Sequence, residues 1–387
     1  VTNNVDTTTA NSGAGFQSEF ENEKKDSSNI LAKEATPVVN ENVLQRAKLV
    51  NYRWKFSNDY ILGGVSNNIL INRYQPYGGG NGPIQLGTGS NLNFTFRTSV
   101  SDLMEDIKFV GGFRLGANLR DNDYLFGFQN VRKRFDWGLT YYRTINHDAA
   151  GFEGTNLSYN AQFNTNIYQF NGSYPLNEVK SFRLTVAYRR DRIVLKPTPY
   201  FSGQQGLPDR RGLGYPDILS QYVLNRLEYV HDNTINPTMN IWNGLRYKVY
   251  MDLDAPVSGS STRTGYTYNF GFDGRHYLPI YRNFIWATRA AADFSWGKQK
   301  LIYYLGGVDG WISPKFNNAN RPDPDQSYAF QTLAVNLRGF NQNVANGNNA
   351  FVFNSELRLP VFSTLLNKPV NNAFIRNFQL VQFIDLG

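Results

Sequence analysis

The sequence predicts an all-β chain: an antiparallel transmembrane β-barrel with a long loop that folds inward. Three observations predict it. Apolar and polar residues alternate with period two from about Asn51 onward. Aromatic residues are abundant, 15% of the 387 residues with 24 Tyr and 28 Phe, while charged residues reach only 18%. Soluble domains carry roughly a quarter charged residues. Finally, the connections between alternating runs are short and long by turns. A barrel wall in lipid needs apolar side chains only at every second position, with aromatic girdles at both interfaces.

Other features narrow the class. Mean hydropathy is negative, and no run approaches the roughly 20 apolar residues of a transmembrane helix. Cysteine is absent, which removes disulfide frameworks and thiolate metal sites. The formal charge of +8 is scattered along the strands rather than clustered, so nucleic acid is not expected as a partner. Neither an initiator Met nor a signal peptide stands at Val1, which reads as a cut or processed N-terminus. Residues 1–45 are rich in Asn, Thr, Ser, Glu and Lys without periodicity. They carry too little apolar surface to fold alone and read as a disordered polar linker, which implies an upstream domain. The barrel is expected over residues 46–387.

Each strand shows its two faces. Tyr52, Trp54 and Phe56 oppose Arg53 and Lys55. Leu92, Phe94 and Phe96 oppose Asn93, Thr95 and Arg97, and Ile107, Phe109, Phe113 and Leu115 oppose Lys108, Gly112 and Arg114. Tyr124, Phe126 and Phe128 precede Phe135, Trp137, Leu139 and Tyr141. Phe182, Leu184, Val186 and Tyr188 face away from Arg183, Thr185 and Arg189. Leu245, Tyr247, Val249 and Met251 oppose Arg246 and Lys248. Tyr266, Tyr268, Phe270 and Phe272 oppose Asn269 and Asp273, and Trp286, Phe294 and Trp296 oppose Arg289 and Asp293. At Thr165-Asn-Ile-Tyr168 the alternation slips, which predicts a bulge. The count is roughly thirteen strands, eleven before the long loop and two after it.

Alternation alone also fits a soluble sandwich, whose apolar face would point to a dry core. The connections separate the two. Val100–Asp106, Asn130–Arg134, Tyr174–Ser181, Asp232–Asn240 and Pro279–Asn283 are modest, with Pro360–Asn377 the exception. Asn67–Asn91, His147–Asn156, Pro197–Leu219, Ala255–Gly265 and Lys300–Ala350 lie on the other side and are longer. Outer-membrane barrels sort their loops in this way, whereas a sandwich has no reason to.

The longest connection starts at Leu301-Ile-Tyr-Tyr-Leu-Gly-Gly307, passes Asn336-Leu-Arg-Gly-Phe340, and leaves into Phe351-Val-Phe-Asn-Ser-Glu-Leu-Arg-Leu-Pro360. Together with the Asn-Pro turn in Asp232–Gly244 and Phe383-Ile-Asp-Leu-Gly387, these motifs resemble the BamA-like superfamily of outer-membrane assembly and transport barrels, also called bacterial surface antigen barrels. The resemblance covers most of the chain from about residue 50. Asn72-Arg-Tyr-Gln75, Ser101–Arg114 and Tyr303–Asp309 are similar, more narrowly, to a Bacteroidota branch in which a periplasmic TolB-like propeller precedes the barrel. That family has sixteen strands, so the resemblance implies that the last three are missing here, a C-terminally truncated chain.

The resemblance implies a role for Arg338 as the tip of a loop returning into the lumen, locked to acidic residues on the inner wall. Glu356, Asp385, or both are the candidates. Glu356 shares a face with Asn354 and Arg358, whereas Asp385 shares one with Phe383, so its direction is less clear from pattern. Gly339 would turn the backbone at the tip and Phe340 would pack against the inner wall. Without the resemblance, Arg338 reads as an exposed loop residue and Glu356 as a lining group of a wet pore.

Enzymatic readings lack support. His147, His231 and His276 fall in an outer loop, at a strand end and near a turn, with no triad order or zinc spacing. Asp309, Asp323 and Asp325 lack the dense oxygen pattern of a calcium loop. Gly78–Gly89 has no Lys-Ser/Thr or helix after it and reads as an outer loop rather than a phosphate cradle. No cofactor is expected. The function the resemblance implies is assembly, insertion or export of proteins in the cell outer membrane, with lipids, client outer-membrane proteins and periplasmic or lipoprotein partners. The alternative is a structural anchor or passive pore for a periplasmic propeller.

Overall fold

The computed structural model describes residues 51–66, 75–76, 93–117, 119–151, 158–196, 217–238, 240–258, 264–308, 315–323, 325–366 and 371–387. The linker of residues 1–45, the Gly-rich stretch 78–89 and Asp309 lie outside them.

Backbone N–H and C=O groups have no water to bind in hydrocarbon, so a strand that crosses it must be paired along its length. The chain meets this demand with one large antiparallel sheet. Its early strands are β1 (Phe56–Ser66), β3 (Asn93–Asp102), β4 (Ile107–Gly116), β5 (Asn122–Asn130), β6 (Asp136–Gly151), β7 (Ser158–Asn177) and β8 (Lys180–Lys196). Then come β9 (Ile218–Asp232), β11 (Ile241–Pro256), β12 (Thr267–Tyr281), β13 (Phe284–Gly297), β17 (Asn349–Pro360) and β18 (Gln379–Leu386). They pair in that order, with a short β10 (Ile235–Thr238) attached to β11. Eleven wall strands before the loop and two after it is the number the alternation predicts. Among the described residues β1 and β18 each have one strand partner, and the sheet is not closed between them.

The exposure of the two faces decides between sandwich and membrane barrel. Pairing aligns Leu184, Leu227, Met251, Phe270 and Phe294 in one lateral row across five strands. Each is between 39% and 55% exposed. Trp286, Trp296, Phe94, Phe126 and Leu139 on the same face are exposed as well. The opposite face carries the charges, and Arg114, Asp123, Arg189, Asp191, Asp252 and Asp254 are buried there. Water-soluble proteins bury apolar side chains and leave charges outside. This wall is inverted, as a lipid-facing barrel wall must be.

Loop parity follows. Residues 103–106, 131–135, 178–179 and 282–283 make tight turns at one end, and 233–240 adds the β10 hairpin. At that end Asn233 Oδ1 accepts from the Leu245 N–H at 2.7 Å, closing the Asn-Pro turn. The last connection at this end, between β17 and β18, holds two short helices, α1 (Val361–Leu365) and α2 (Ala373–Asn377), the second capped by the Asn372 side chain. Residues 67–92, 152–157, 197–217, 257–266 and 298–348 connect strands at the other end, where 117–121 is a short exception.

Two expectations need correction. No bulge lies at Thr165–Tyr168, since Thr165, Asn166, Ile167 and Tyr168 pair in unbroken register with Thr144, Arg143, Tyr142 and Tyr141. The apparent slip arises because Ile167 faces inward, joining Tyr142 and Ala187 in a small apolar cluster inside the wall. Register shifts occur instead at Asn58/Tyr60, Pro175/Asn177 and Pro279/Tyr281. His147 is not in a loop either: it belongs to β6, and its Nδ1 lies 2.8 Å from the buried Asp121 carboxylate.

A charge on the exposed face distinguishes this wall from a soluble surface. Leu184→Arg would be nearly neutral on a soluble domain. In lipid it is expected to cost about 2–4 kcal/mol, and refolding into vesicles followed by denaturant titration measures the loss.

Candidate functional site

The long connection after β13 is not an irregular loop. It folds into β14 (Lys300–Leu305), β15 (Tyr328–Leu333) and β16 (Ala345–Gly347), joined by β2 (Gln75–Pro76) from the first long connection. β14 and β15 run parallel, and β16 and β2 flank them antiparallel. The run Leu301-Ile-Tyr-Tyr304 is buried on both faces. Leu301 and Tyr303 pack with Phe330, Ala329, Ala350 and Tyr222 of β9, while Ile302 and Tyr304 pack with Tyr328 and Phe316. A strand with apolar residues on both sides is a core strand, and here the core lies inside the wall.

The small sheet touches the wall through polar tips as well. Tyr303 Oη donates to Asn269 Oδ1 of β12 at 2.9 Å, and the Leu301 N–H donates to Ser295 Oγ of β13 at 2.9 Å. The Arg189 guanidinium of β8 lies 4.2 Å from the centre of the Phe330 ring. One small sheet thus meets β8, β9, β12 and β13 on the same face, so the wall curls around it.

Beyond β15 the backbone carries the tip. Gly307 and Leu337 form an isolated bridge. Gly306 has φ +101°, and a Cβ there would lie 2.0 Å from the Asn341 carbonyl oxygen, so only glycine fits. Gly339, directly after Arg338, also has a positive φ of +88°. Its Cβ position is open space, so the constraint is conformational rather than steric.

Arg338 is thereby aimed at the last two wall strands. Its Nε and Nη2 donate to Asp385 Oδ2 and Oδ1, each at 2.7 Å, and its own backbone N–H donates to Asp385 Oδ2 at 2.9 Å. Nη1 lies 2.6 Å from Glu356 Oε1. The guanidinium sits 3.8 Å from the centre of the Phe383 ring. A planar fork of donors suits two carboxylates and an aromatic face at once, where a lysine would supply one point charge. The Asp385 hydrogen bonds, opposed by burial and aided by the Glu356 charge, hold the Arg338 pKa above its ordinary value.

The two carboxylates differ. The Asp385 side chain is 1% exposed and takes three bonds from Arg338. Glu356 is 16% exposed and is shared with Arg358, whose Nε donates to Oε2 at 2.7 Å. Arg358 in turn donates through Nη1 to the Asn240 carbonyl at 3.0 Å, tying the pair to the short-turn end of the wall. Asn354 Nδ2 donates to the Asn336 carbonyl at 3.0 Å, a further stitch between wall and tip.

Arg338, Gly339, Glu356 and Asp385 are therefore brought together. Phe340 is not packed away: it is 47% exposed, and the ring beside Arg338 is that of Phe383. The face shared by Phe383 and Asp385, which leaves the direction of Asp385 unclear in the sequence, carries both the ring and the acid that meet Arg338. Arg358 could be read from its i, i+2 relation to Glu356 on one face.

Further polar groups, buried or half-buried, line the wall. Thr165 Oγ1 donates to Asp191 Oδ1 at 2.6 Å and Arg189 Nε to Asp191 Oδ2 at 2.9 Å. Arg226 Nη2 donates to Asp252 Oδ2 at 2.8 Å, and Asn269 Nδ2 reaches the same oxygen at 3.1 Å. Arg289 and Arg275 both bond Asp273. Charges withdrawn from lipid are thus paired, along β8 and β12 and across neighbouring strands.

No protein-family model matches the chain, and no curated protein matches it. Among solved structures it is similar to BamA from Haemophilus ducreyi lacking POTRA domains 1–3, at 13% identity and a TM-score of 0.49, covering 86% of this chain and 57% of that one. It is also similar to CdiB from Escherichia coli, at 11% identity and a TM-score of 0.44, covering 80% of this chain and 49% of that one. The chain spans about half the length of these two proteins.

The bond inventory predicts unequal coupling. In double-mutant cycles, Arg338→Ala with Asp385→Ala is expected to give a coupling of about 2–3 kcal/mol. Arg338→Ala with Glu356→Ala should give about 1 kcal/mol, since Arg358 keeps Glu356 paired. Denaturant midpoints of the folded protein in detergent supply all the terms.

Proposed function

We propose that this chain is an outer-membrane barrel that inserts, assembles or exports other proteins without chemical catalysis. The observation that carries this reading is the anchored loop, a four-stranded sheet inside the wall whose tip is bonded by Arg338 to β17 and β18. A wall occupied in this way offers little open channel along its axis. Work on a client strand then falls to backbone edges, where unpaired N–H and C=O groups add a strand by β-augmentation. The order and spacing of the BamA-like motifs support the same assignment. The narrower one, to the Bacteroidota branch, rests on Asn72-Arg-Tyr-Gln75, Ser101–Arg114 and Tyr303–Asp309 alone.

In this reading the partners are outer-membrane lipids, client outer-membrane proteins and periplasmic or lipoprotein subunits, and no cofactor takes part. One observation favours the second reading, a structural anchor for a periplasmic domain. β1 is paired with β3 along its length, interrupted by a single bulge where Asp59 accepts from Ser99 Oγ at 2.8 Å, so this first strand is well held on that side.

Depletion in the native host separates the two. If the chain assembles other barrels, their amounts in the outer membrane fall together on depletion; if only the chain itself disappears, it is an anchor. Complementation tests the lock in the same cells. Arg338→Ala leaves Asp385 buried without its cation and is expected to lower client levels several-fold, while Arg321→Ala, in the exposed part of the same loop, restores them. Equal behaviour of the two variants would remove Arg338 from the mechanism.

A further inference from the structure

The outward face of β6, β7 and β8 changes character along the strands. Pairing places Tyr141, Tyr168 and Tyr188 in one lateral row. Their rings stand in contact, with centroids 5.0 Å apart for Tyr141 and Tyr168 and 6.4 Å for Tyr168 and Tyr188. Toward the short turn at residues 178–179 the same face is apolar, with Leu139, Phe170, Leu184 and Phe182. Two residues further in the other direction, toward the long-loop end, the row reads Arg143, Asn166, Arg190, and the next carries Asn164 and Arg192. One pleat repeat spans roughly 7 Å along a strand. The cationic rows therefore begin directly beyond an aromatic row of the kind that marks the edge of the hydrocarbon.

These arginines are exposed and little neutralised. Arg192 pairs with Asp217, its Nε donating to Oδ2 at 2.6 Å. Arg143 and Arg190 have no ion-pair partner among the described residues. Arg143, Arg190 and Arg192, with Gln162, Asn164 and Asn166, line a cleft of about 290 Å³ that opens on the lipid side of the wall. Next to it lies a second cleft of about 410 Å³, lined by Tyr124, Phe126, Tyr141 and again Arg143. A polar, cationic cleft and an aromatic, apolar one thus share Arg143, one row beyond the tyrosines.

We propose that these two clefts form a binding site for a phosphorylated lipid of the outward leaflet, its phosphate on Arg143 and Arg190 and an acyl chain along Tyr124, Phe126 and Tyr141. The assignment rests on the outer-membrane reading. Cationic side chains on a lipid-facing wall are unfavourable unless an anion meets them, and a guanidinium fork matches phosphate oxygens bidentately. The neighbouring apolar cleft distinguishes a lipid from a free anion, because inorganic phosphate has nothing to place there. Asn164, Asn166 and Gln162 add neutral donors for headgroup oxygens.

The test refolds the full chain into phosphatidylcholine vesicles doped with a bis-phosphorylated, acylated glucosamine disaccharide, or with the same lipid after phosphatase treatment. Lipid retained by the protein after extraction is counted by native mass spectrometry. The site predicts retention of the phosphorylated form over the dephosphorylated one, with no competition from inorganic phosphate. Arg143→Gln and Arg190→Gln should each weaken retention about fivefold, while Lys133→Gln, in a turn at the opposite end, leaves it unchanged. Equal retention of the two lipids by the unaltered protein overturns the site whether or not the variants fold, and so does full displacement by inorganic phosphate or an unchanged double variant. Capture of a protein on this face in place of lipid, lost in Arg190→Gln, also overturns it. Failure to enter either vesicle defeats the membrane reading itself, whereas insertion without lipid preference defeats only the site.

Discussion

The hydrocarbon of a bilayer cannot hydrogen-bond, and the rest of the structure depends on that constraint. Because a wall in hydrocarbon must satisfy every backbone group internally, the strands pair side by side in one continuous sheet. Because the same wall cannot show charge to hydrocarbon, its ionic groups face inward: Arg189 bonds Asp191 along β8, while Arg226 bonds Asp252 and Arg289 bonds Asp273 across neighbouring strands. The exposed apolar row from Leu184 to Phe294 and the buried ionic groups behind it are two consequences of one rule. A core of the ordinary kind has no place between those faces, so the chain builds it from the inserted loop.

That loop explains how a polar interior comes to hold fixed structure. β14 and β15 bring their own apolar surface and bury it against Tyr222 and Ala350 of the wall. Hydrophobic contact positions the small sheet but does not specify its tip. The tip is specified by charge: Arg338 meets two carboxylates on adjacent strands, and the three bonds to Asp385 fix both its side chain and its backbone. Removing such a partner costs more than breaking a surface pair, because the acid that remains is 1% exposed. The glycines at Gly306 and Gly339 supply positive φ on either side of the tip, so backbone geometry and ion pairing impose the same conformation.

Much of this was legible in the residues. Period-two alternation located the wall strands and named their faces, because a strand buried on one side only must alternate. Loop parity located the two ends. Alternation failed where the inside of the wall is itself apolar: Ile167 faces inward with Tyr142 and Ala187, and the pattern there looks like a slip. The internal sheet was equally hidden, since Leu301-Ile-Tyr-Tyr304 is buried on both faces and shows no alternation to read. The tip residue and its candidate acids came from motif resemblance rather than from pattern. Pattern left Asp385 ambiguous because Phe383 shares its face, and the geometry shows an aromatic ring and an acid serving the same guanidinium. The assignment of Phe340 to the inner wall assumed that an aromatic next to the tip must be buried; it is half exposed instead.

The inverted wall can be tested at two neighbouring positions, and the absence of native cysteine makes the test direct. Leu227→Cys and Glu228→Cys would each be labelled with an environment-sensitive fluorophore after insertion into vesicles. Leu227 is exposed on the apolar face, while Glu228 lies with Arg226 and Lys248 on the charged one. Quenching by a lipid-borne quencher is expected at position 227 and not at 228. Quenching at 228 alone, or equal access of a water-soluble quencher to both, would contradict the inverted wall.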